Sequence, residues 1–179
     1  VHAAAGGAGL ILCQWAKALG ATVIGTVSTD AKAEIAKAHG CDHAIVYTRD
    51  NFSDKVKEIT NGEGVPVVYD SVGRDTFMGS LECLSPMGMG INFGTASGQV
   101  EPFPLQHLHK KSLIVTRPTL ATYVAKREDL DKASQEVFGV LRDGTVKVDI
   151  TGRFALKDAA QAHRAIESRE TTGTMILLP

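Results

Sequence analysis

Val1-His2-Ala3-Ala4-Ala5-Gly6-Gly7-Ala8-Gly9-Leu10 is the stretch on which the fold turns. Beyond it, Leu10 to Leu19 is strongly apolar with Gln14 and Lys17 as polar breaks, then stops at Gly20. That pattern predicts a mostly buried helix with a glycine after its last turn. The glycine cluster therefore lies between the end of a strand and a helix, where a dinucleotide-binding fold sets a pyrophosphate against a helix N-terminus. Small residues let backbone and phosphate approach closely, while free N–H groups and the helix dipole stabilise negative charge. Gly9, the third glycine, permits close packing of helix on strand. Against the Gly-x-Gly-x-x-Gly fingerprint the first glycine is replaced by Ala4, so the match is partial and a turn that binds nothing stays open. A complete domain of this kind carries a whole strand before the turn. The chain is accordingly expected to be part of a longer polypeptide, with its first strand truncated.

Working outward, Thr22-Val23-Ile24-Gly25-Thr26 is β-branched and continuous, as suits a parallel strand covered on both faces. Asp30 can cap a helix running to about His39, and His43 to Tyr47 makes the next strand. Asn51 to Thr60 reads as an amphipathic helix with Phe52, Val56 and Ile59 on one side. Val65 to Asp70 follows as a strand, Asp75 to Leu84 as a helix, Gly88 to Phe93 as a strand and Leu113 to Thr116 as another. Glu128 to Leu141 and Lys157 to Arg169 read as helices, with an apolar ending at Met175 to Leu178. This alternation predicts an α/β fold of Rossmann type, doubly wound, with one mostly parallel six-stranded sheet and helices on both faces. Residues 1–149 are assigned to that cofactor domain and 150–179 to a separate C-terminal segment.

The 179 residues, 44% hydrophobic and 22% charged, suit a domain with an ordinary core. Lys and Arg total 19 against 20 Asp and Glu, which gives no electrostatic case for nucleic acid or an anionic membrane as the main partner. No apolar run approaches the roughly 20 residues of a membrane span. Cys13, Cys41 and Cys83 are widely spaced without a Cys-x-x-Cys pair, which argues against a disulfide framework or a structural zinc, and a reducing cytoplasm is the expected compartment. His107 and His109 lie two apart, a spacing open to a metal on a strand, but no third ligand is close and no metal is assigned.

A P-loop needs Gly-Lys-Ser/Thr, whereas Gly9 is followed by Leu10 and Ile11. The next discriminator is the end of the second strand, where an acid usually accepts from the ribose 2′-OH of NAD. That place reads Gly25-Thr26-Val27-Ser28-Thr29, with no acid before Asp30. Nothing there repels a 2′-phosphate, and Ser28 and Lys32 are near enough to supply a hydroxyl and a cation. NADPH is favoured over NADH. Ser28 capping a turn and Lys32 as a solvated helix residue remain the alternative.

Val1 to Leu10 together with Cys13-Gln14-Trp15-Ala16-Lys17-Ala18-Leu19-Gly20-Ala21 resembles the strand, turn and helix of zinc-independent quinone oxidoreductases, the zeta-crystallin-like branch of the medium-chain dehydrogenase/reductase superfamily. Ile24 to Thr29, Val68-Tyr69-Asp70-Ser71-Val72-Gly73-Arg74, Thr116-Arg117-Pro118 and Glu167-Ser168-Arg169 resemble later blocks of the same family. The resemblance implies that Gly6, Gly7, Ala8 and Gly9 contact the pyrophosphate region, and that Ser28, Lys32 and Tyr47 form the pocket for the adenosine ribose and its 2′-phosphate. It places Ser71 and Val72 beside the cofactor, Phe93, Gly94 and Thr95 toward the nicotinamide half, and Arg169 back toward the cofactor. Tyr47 as an ordinary strand-end aromatic and Arg169 as a helix-end cation remain open, and Thr95 stands where some relatives carry Asn. The family also implies a further N-terminal domain on which residues 150–179 partly pack, and homodimers formed through a sheet edge, for which Leu113 to Thr116 is the candidate.

The activity so implied is reduction of a quinone or similar conjugated carbonyl acceptor by NADPH, with no catalytic residue assigned within this chain. An NADPH-dependent enone or alkenal reductase of the same superfamily and a non-catalytic nucleotide-binding module are the alternatives. A short-chain dehydrogenase would need Tyr-x-x-x-Lys, and Lys126 follows Tyr123 by three positions. A methyltransferase would want the carboxylate that is missing at the end of the second strand.

Overall fold

The glycine turn and the helix after it set the frame for the whole chain. The computed structural model describes residues 1–168 and 171–179. Gly6 is extended at φ −79 and ψ 168 and leads into α1 (Gly7–Ala18), which Gly20 ends in the left-handed region at φ +87. Next come β1 (Ile24–Val27), α2 (Asp30–Ala38), β2 (His43–Val46), α3 (Phe52–Ile59), β3 (Val65–Asp70), α4 (Phe77–Cys83) and β4 (Leu84–Asn92). The short α5 (Gln106–His109) precedes β5 (Ile114–Thr116), after which α6 (Leu120–Tyr123), the long α7 (Arg127–Arg142), β6 (Ile150–Ala155), a 3₁₀ turn, α8 (Ala159–Glu167) and β7 (Thr174–Leu178) complete the order.

Every strand pairing is parallel, as β-α-β alternation requires. The strands do not form the single six-stranded sheet expected from the sequence. They group as β1-β2, β3-β4-β5 and β6-β7. Residues 1–4 lie between the first two groups: the Val1 N–H donates to Ile24 O at 2.8 Å, the Thr26 N–H to Val1 O at 3.0 Å, and the His2 N–H to Tyr69 O at 3.0 Å. Ala3 then turns to φ 52, which breaks the ladder before it becomes a strand. The third group has its own two-stranded ladder and is tied to the glycine turn by a parallel bridge between Gly6 and Gly173; β6 was not read from the sequence, where Ile150 and Phe154 are the large apolar residues of its six.

Two cores keep the layers together. Ala4, Ala5, Cys13, Val23, Val27, Ala36 and Val46 are buried between α1, α2 and the β1-β2 pair. Ile45, Val56, Val68, Phe77, Leu81 and Leu84 form the second core around α3 and α4, so helices cover both faces of the strands. Close approach in the first core depends on Gly9, where a Cβ would lie 2.2 Å from Ala3 O and 2.8 Å from Ala4 Cα. The cap of α2 also differs from the sequence reading: the Thr29 hydroxyl accepts from the Lys32 N–H, and Asp30 is already the first helical residue.

Candidate cofactor cleft

At the carboxyl ends of β1, β2 and β3 lies a cleft of about 470 Å³, in the range of small-molecule sites and at the place where open α/β sheets bind ligands. One wall carries Thr26, Val27 and Ser28 from the end of β1, with Lys32 on α2 and Tyr47 just beyond β2. The opposite wall carries Val72, Asp75 and Thr76 from the segment after β3, and Ala96. His2, Ala3, Ala5 and Gly6 make the floor, while Ile166 and Thr171 approach from the C-terminal unit.

The floor is suited to an anion. α1 has no acidic residue in its first turn and no side-chain cap. Its first amides therefore lack intrahelical acceptors and stand at the positive end of the helix dipole. Gly7 is packed beside the C-terminal segment, since a Cβ there would stand 3.0 Å from Thr174 Oγ1. The Gly173 N–H donates to Ala5 O at 3.1 Å, so residues 171–174 border the glycine turn.

The structure thus brings Gly6, Ser28, Lys32, Tyr47 and Val72 into one cleft, with Gly7 and Ala8 opening α1 beside it. Gly9 is buried as a packing glycine. Ser71 sits next to Val72 and accepts through its carbonyl from the Ala96 N–H at 3.2 Å. Phe93, Gly94 and Thr95 are not part of the cleft lining, and that loop reaches the lining through Ala96. Gly94 is pressed against Ser71, where a Cβ would meet Ser71 O at 2.4 Å. Arg169 lies outside the described residues.

Sequence reasoning missed His2, Thr26, Phe52, Asp75 and Thr76. The missed signal was Asp70, an acid at a strand end followed by hydroxyls at 76 and 80. Asp70 is buried and accepts from the Val72 N–H at 2.8 Å, the Gly73 N–H at 3.0 Å and the Thr76 hydroxyl at 2.9 Å. It thereby fixes the loop that forms one wall.

Electrostatically, Lys32 and Asp75 are the charged side chains lining the cleft among the described residues. Asp75 is held by Arg74 at 3.1 Å, and Asp30, the acid nearest Ser28 in sequence, pairs with Arg49 at 3.3 Å. No carboxylate follows directly on β1. Burial pushes the His2 imidazole down to about 4 from its ordinary 6.5, so it is neutral near pH 7. His107 and His109 lie on α5 rather than on a strand, and among the described residues no three His, Cys, Asp or Glu side chains come together as a metal site.

Residues 7–139 match the family model for zinc-binding dehydrogenases. The chain is 49% identical to the quinone oxidoreductase of Pseudomonas aeruginosa over 99% of its own length and 55% of that protein. It is 46% identical to a 2-haloacrylate reductase of a Burkholderia species, over 100% of this chain and 54% of the relative. The crystal structure of Escherichia coli quinone oxidoreductase complexed with NADPH superimposes with a TM-score of 0.95 at 50% identity, covering 99% of this chain and 56% of the other. The chain thus spans about half the length of the relatives it matches. It belongs to the zinc-binding dehydrogenase family within the medium-chain dehydrogenase/reductase superfamily, and it corresponds there to the cofactor-binding part of the quinone oxidoreductases it resembles.

Proposed function

We propose that this chain is the NADPH-holding domain of an enzyme that reduces quinones or similar conjugated carbonyl acceptors. The observation that carries the reading is the joining of a glycine-initiated helix with Ser28, Lys32 and Tyr47 in one cleft that has no carboxylate at the end of β1. Bound NADPH would supply the reducing hydride. The chain's own residues hold and orient it. The amides at the start of α1 take the pyrophosphate, while the Lys32 ammonium and the Ser28 hydroxyl take the 2′-phosphate. Tyr47 covers the adenosine end, and Val72 and Ala96 exclude water from the opposite wall. The relative in Escherichia coli solved with NADPH and the quinone oxidoreductase of Pseudomonas aeruginosa support this reading.

The 2-haloacrylate reductase among the relatives favours a second reading, in which the acceptor is another conjugated carbonyl compound. Two further features complete the proposal. β5 is a sheet edge, paired on one side with β4, and two copies join through it. The β6, α8 and β7 unit exposes Ile150, Leu156, Leu177 and Leu178, the surface that packs on the remainder of a longer protein.

Calorimetric titration with NADPH and with NADH at low and moderate salt tests the cofactor reading. Preferential NADPH binding is expected, and Lys32→Ala should weaken NADPH binding by about tenfold or more while leaving NADH unchanged. Equal affinity for the two dinucleotides would overturn the 2′-phosphate assignment. Assay of quinone and 2-haloacrylate reduction by the longer protein decides between the acceptors, and turnover of neither would leave a nucleotide-binding module.

A further inference from the structure

Beneath the cleft runs a chain of four buried polar side chains drawn from four parts of the fold. Thr26 is on β1, His2 lies between β1 and β3, Ser80 is on α4 and Asp70 ends β3; their exposures are 6%, 4%, 2% and 1%. His2 Nδ1 is 2.8 Å from Thr26 Oγ1 and His2 Nε2 is 2.9 Å from Ser80 Oγ. The Ser80 hydroxyl lies 3.0 Å from Asp70 Oδ2 and donates to it. The His2 ring is further clamped edge-on by Phe52, with ring centroids 4.9 Å apart.

Donor and acceptor counting gives this chain one direction. The Asp70 carboxylate and the Thr76 carbonyl, each 3.0 Å from Ser80 Oγ, only accept, so the single Ser80 proton points toward them and away from His2. Ser80 Oγ then accepts from His2, which places the imidazole proton on Nε2. Nδ1 is left with a lone pair, and the Thr26 hydroxyl donates to it. A protonated imidazole would present a second N–H and need the Thr26 hydroxyl reversed.

The same four residues join the two walls of the cleft. Thr26 belongs to the wall that carries Ser28, while Asp70 holds the Val72 and Gly73 amides of the other. Ser80 and Asp70 do not line the cleft. We propose that His2, as the neutral Nε2–H tautomer, is a positioning residue that fixes the spacing of the two walls of the cofactor cleft through Thr26 on one side and Ser80 and Asp70 on the other. The proposal rests on the reading of that cleft as the NADPH site.

Ser80→Ala is the informative variant, since Ser80 does not itself line the cleft and the change in volume is small. Nitrogen-15 NMR of the imidazole should show His2 in the wild-type chain as the Nε2–H tautomer, unprotonated from pH 7.5 to 5.5. Ser80→Ala should lose that signature and raise the NADPH dissociation constant about fivefold, and Ser80→Thr, which keeps a hydroxyl, should restore both. A charged His2 at pH 6, the opposite tautomer, or a Ser80→Ala chain that melts earlier but binds NADPH as tightly as wild type would each overturn the positioning role alone. A wild-type chain that fails to bind NADPH would instead overturn the cofactor reading and the role with it.

Discussion

At position 9 the absence of a side chain decides how closely α1 approaches the residues before it. Both atoms that a Gly9 Cβ would strike, Ala3 O and Ala4 Cα, are backbone and have little room to yield. Gly9→Ala should therefore destabilise the chain by about 3 kcal/mol, in the range of severe overpacking, and urea denaturation measures it. An unchanged midpoint would refute the close approach. His2 gives a pH dependence whose sign follows from its lowered pKa. In the unfolded chain its imidazole takes a proton near 6.5, in the folded chain only near about 4. Between those values the unfolded state binds more protons, so this contribution is fully present above pH 6.5 and is lost as the pH falls toward 4, by about 3 kcal/mol at most. His2→Gln should flatten stability against pH over that window, and the same slope in both proteins would contradict a buried neutral imidazole. Such a histidine was not legible in the sequence, because its partners Thr26 and Ser80 come from distant parts of the chain.

Among the elements, helix starts were easier to read than strand grouping. Asn51 caps α3 through its side-chain oxygen, which accepts from the Ser53 and Asp54 N–H groups. Asn51→Ala should cost about 1 kcal/mol, seen as an earlier thermal transition, and no shift would mean that solvent replaces the cap. The cap of α2 fell to Thr29 rather than Asp30 because the side-chain oxygen must reach an amide two or three residues on. β4 begins at Leu84, earlier than the sequence suggested, since Met87 at φ 59 and the register shift opposite Val65 and Val67 let an irregular strand bridge Ser85 and Pro86. Lys111 also reaches back to the carbonyls of Glu82 and Leu84 at the end of α4, a long-range contact that no local pattern announces.

For the whole molecule, the proposed pairing of two copies through β5 depends on an edge strand whose Ile114 is 49% exposed. Placing a charge there is a common means of keeping sheet edges apart. Ile114→Lys should shift sedimentation from dimer to monomer while NADPH affinity stays as in the wild type. A dimer that persists in the variant would move the interface elsewhere. α7 and the β6, α8 and β7 unit present further apolar side chains to solvent, including Phe138 and Leu156, so exposure by itself does not single out the β5 edge.

The residue order by itself determined the α/β alternation and the glycine turn before α1, and it pointed to Ser28 and Lys32 as phosphate-side candidates, because apolar periodicity, glycine stops and charge at a strand end are local properties; Tyr47 joined them only through the family resemblance. The tertiary structure alone decided how the strands group, which side of the cleft Asp75 and Thr76 occupy, and that the loop after β4 meets the cleft through Ala96 rather than through Phe93, Gly94 or Thr95. It alone assembled Thr26, His2, Ser80 and Asp70 into one buried chain. The physical reason is that hydrogen-bond satisfaction inside a core is a condition on groups brought together by packing, and a one-dimensional pattern does not encode their distances.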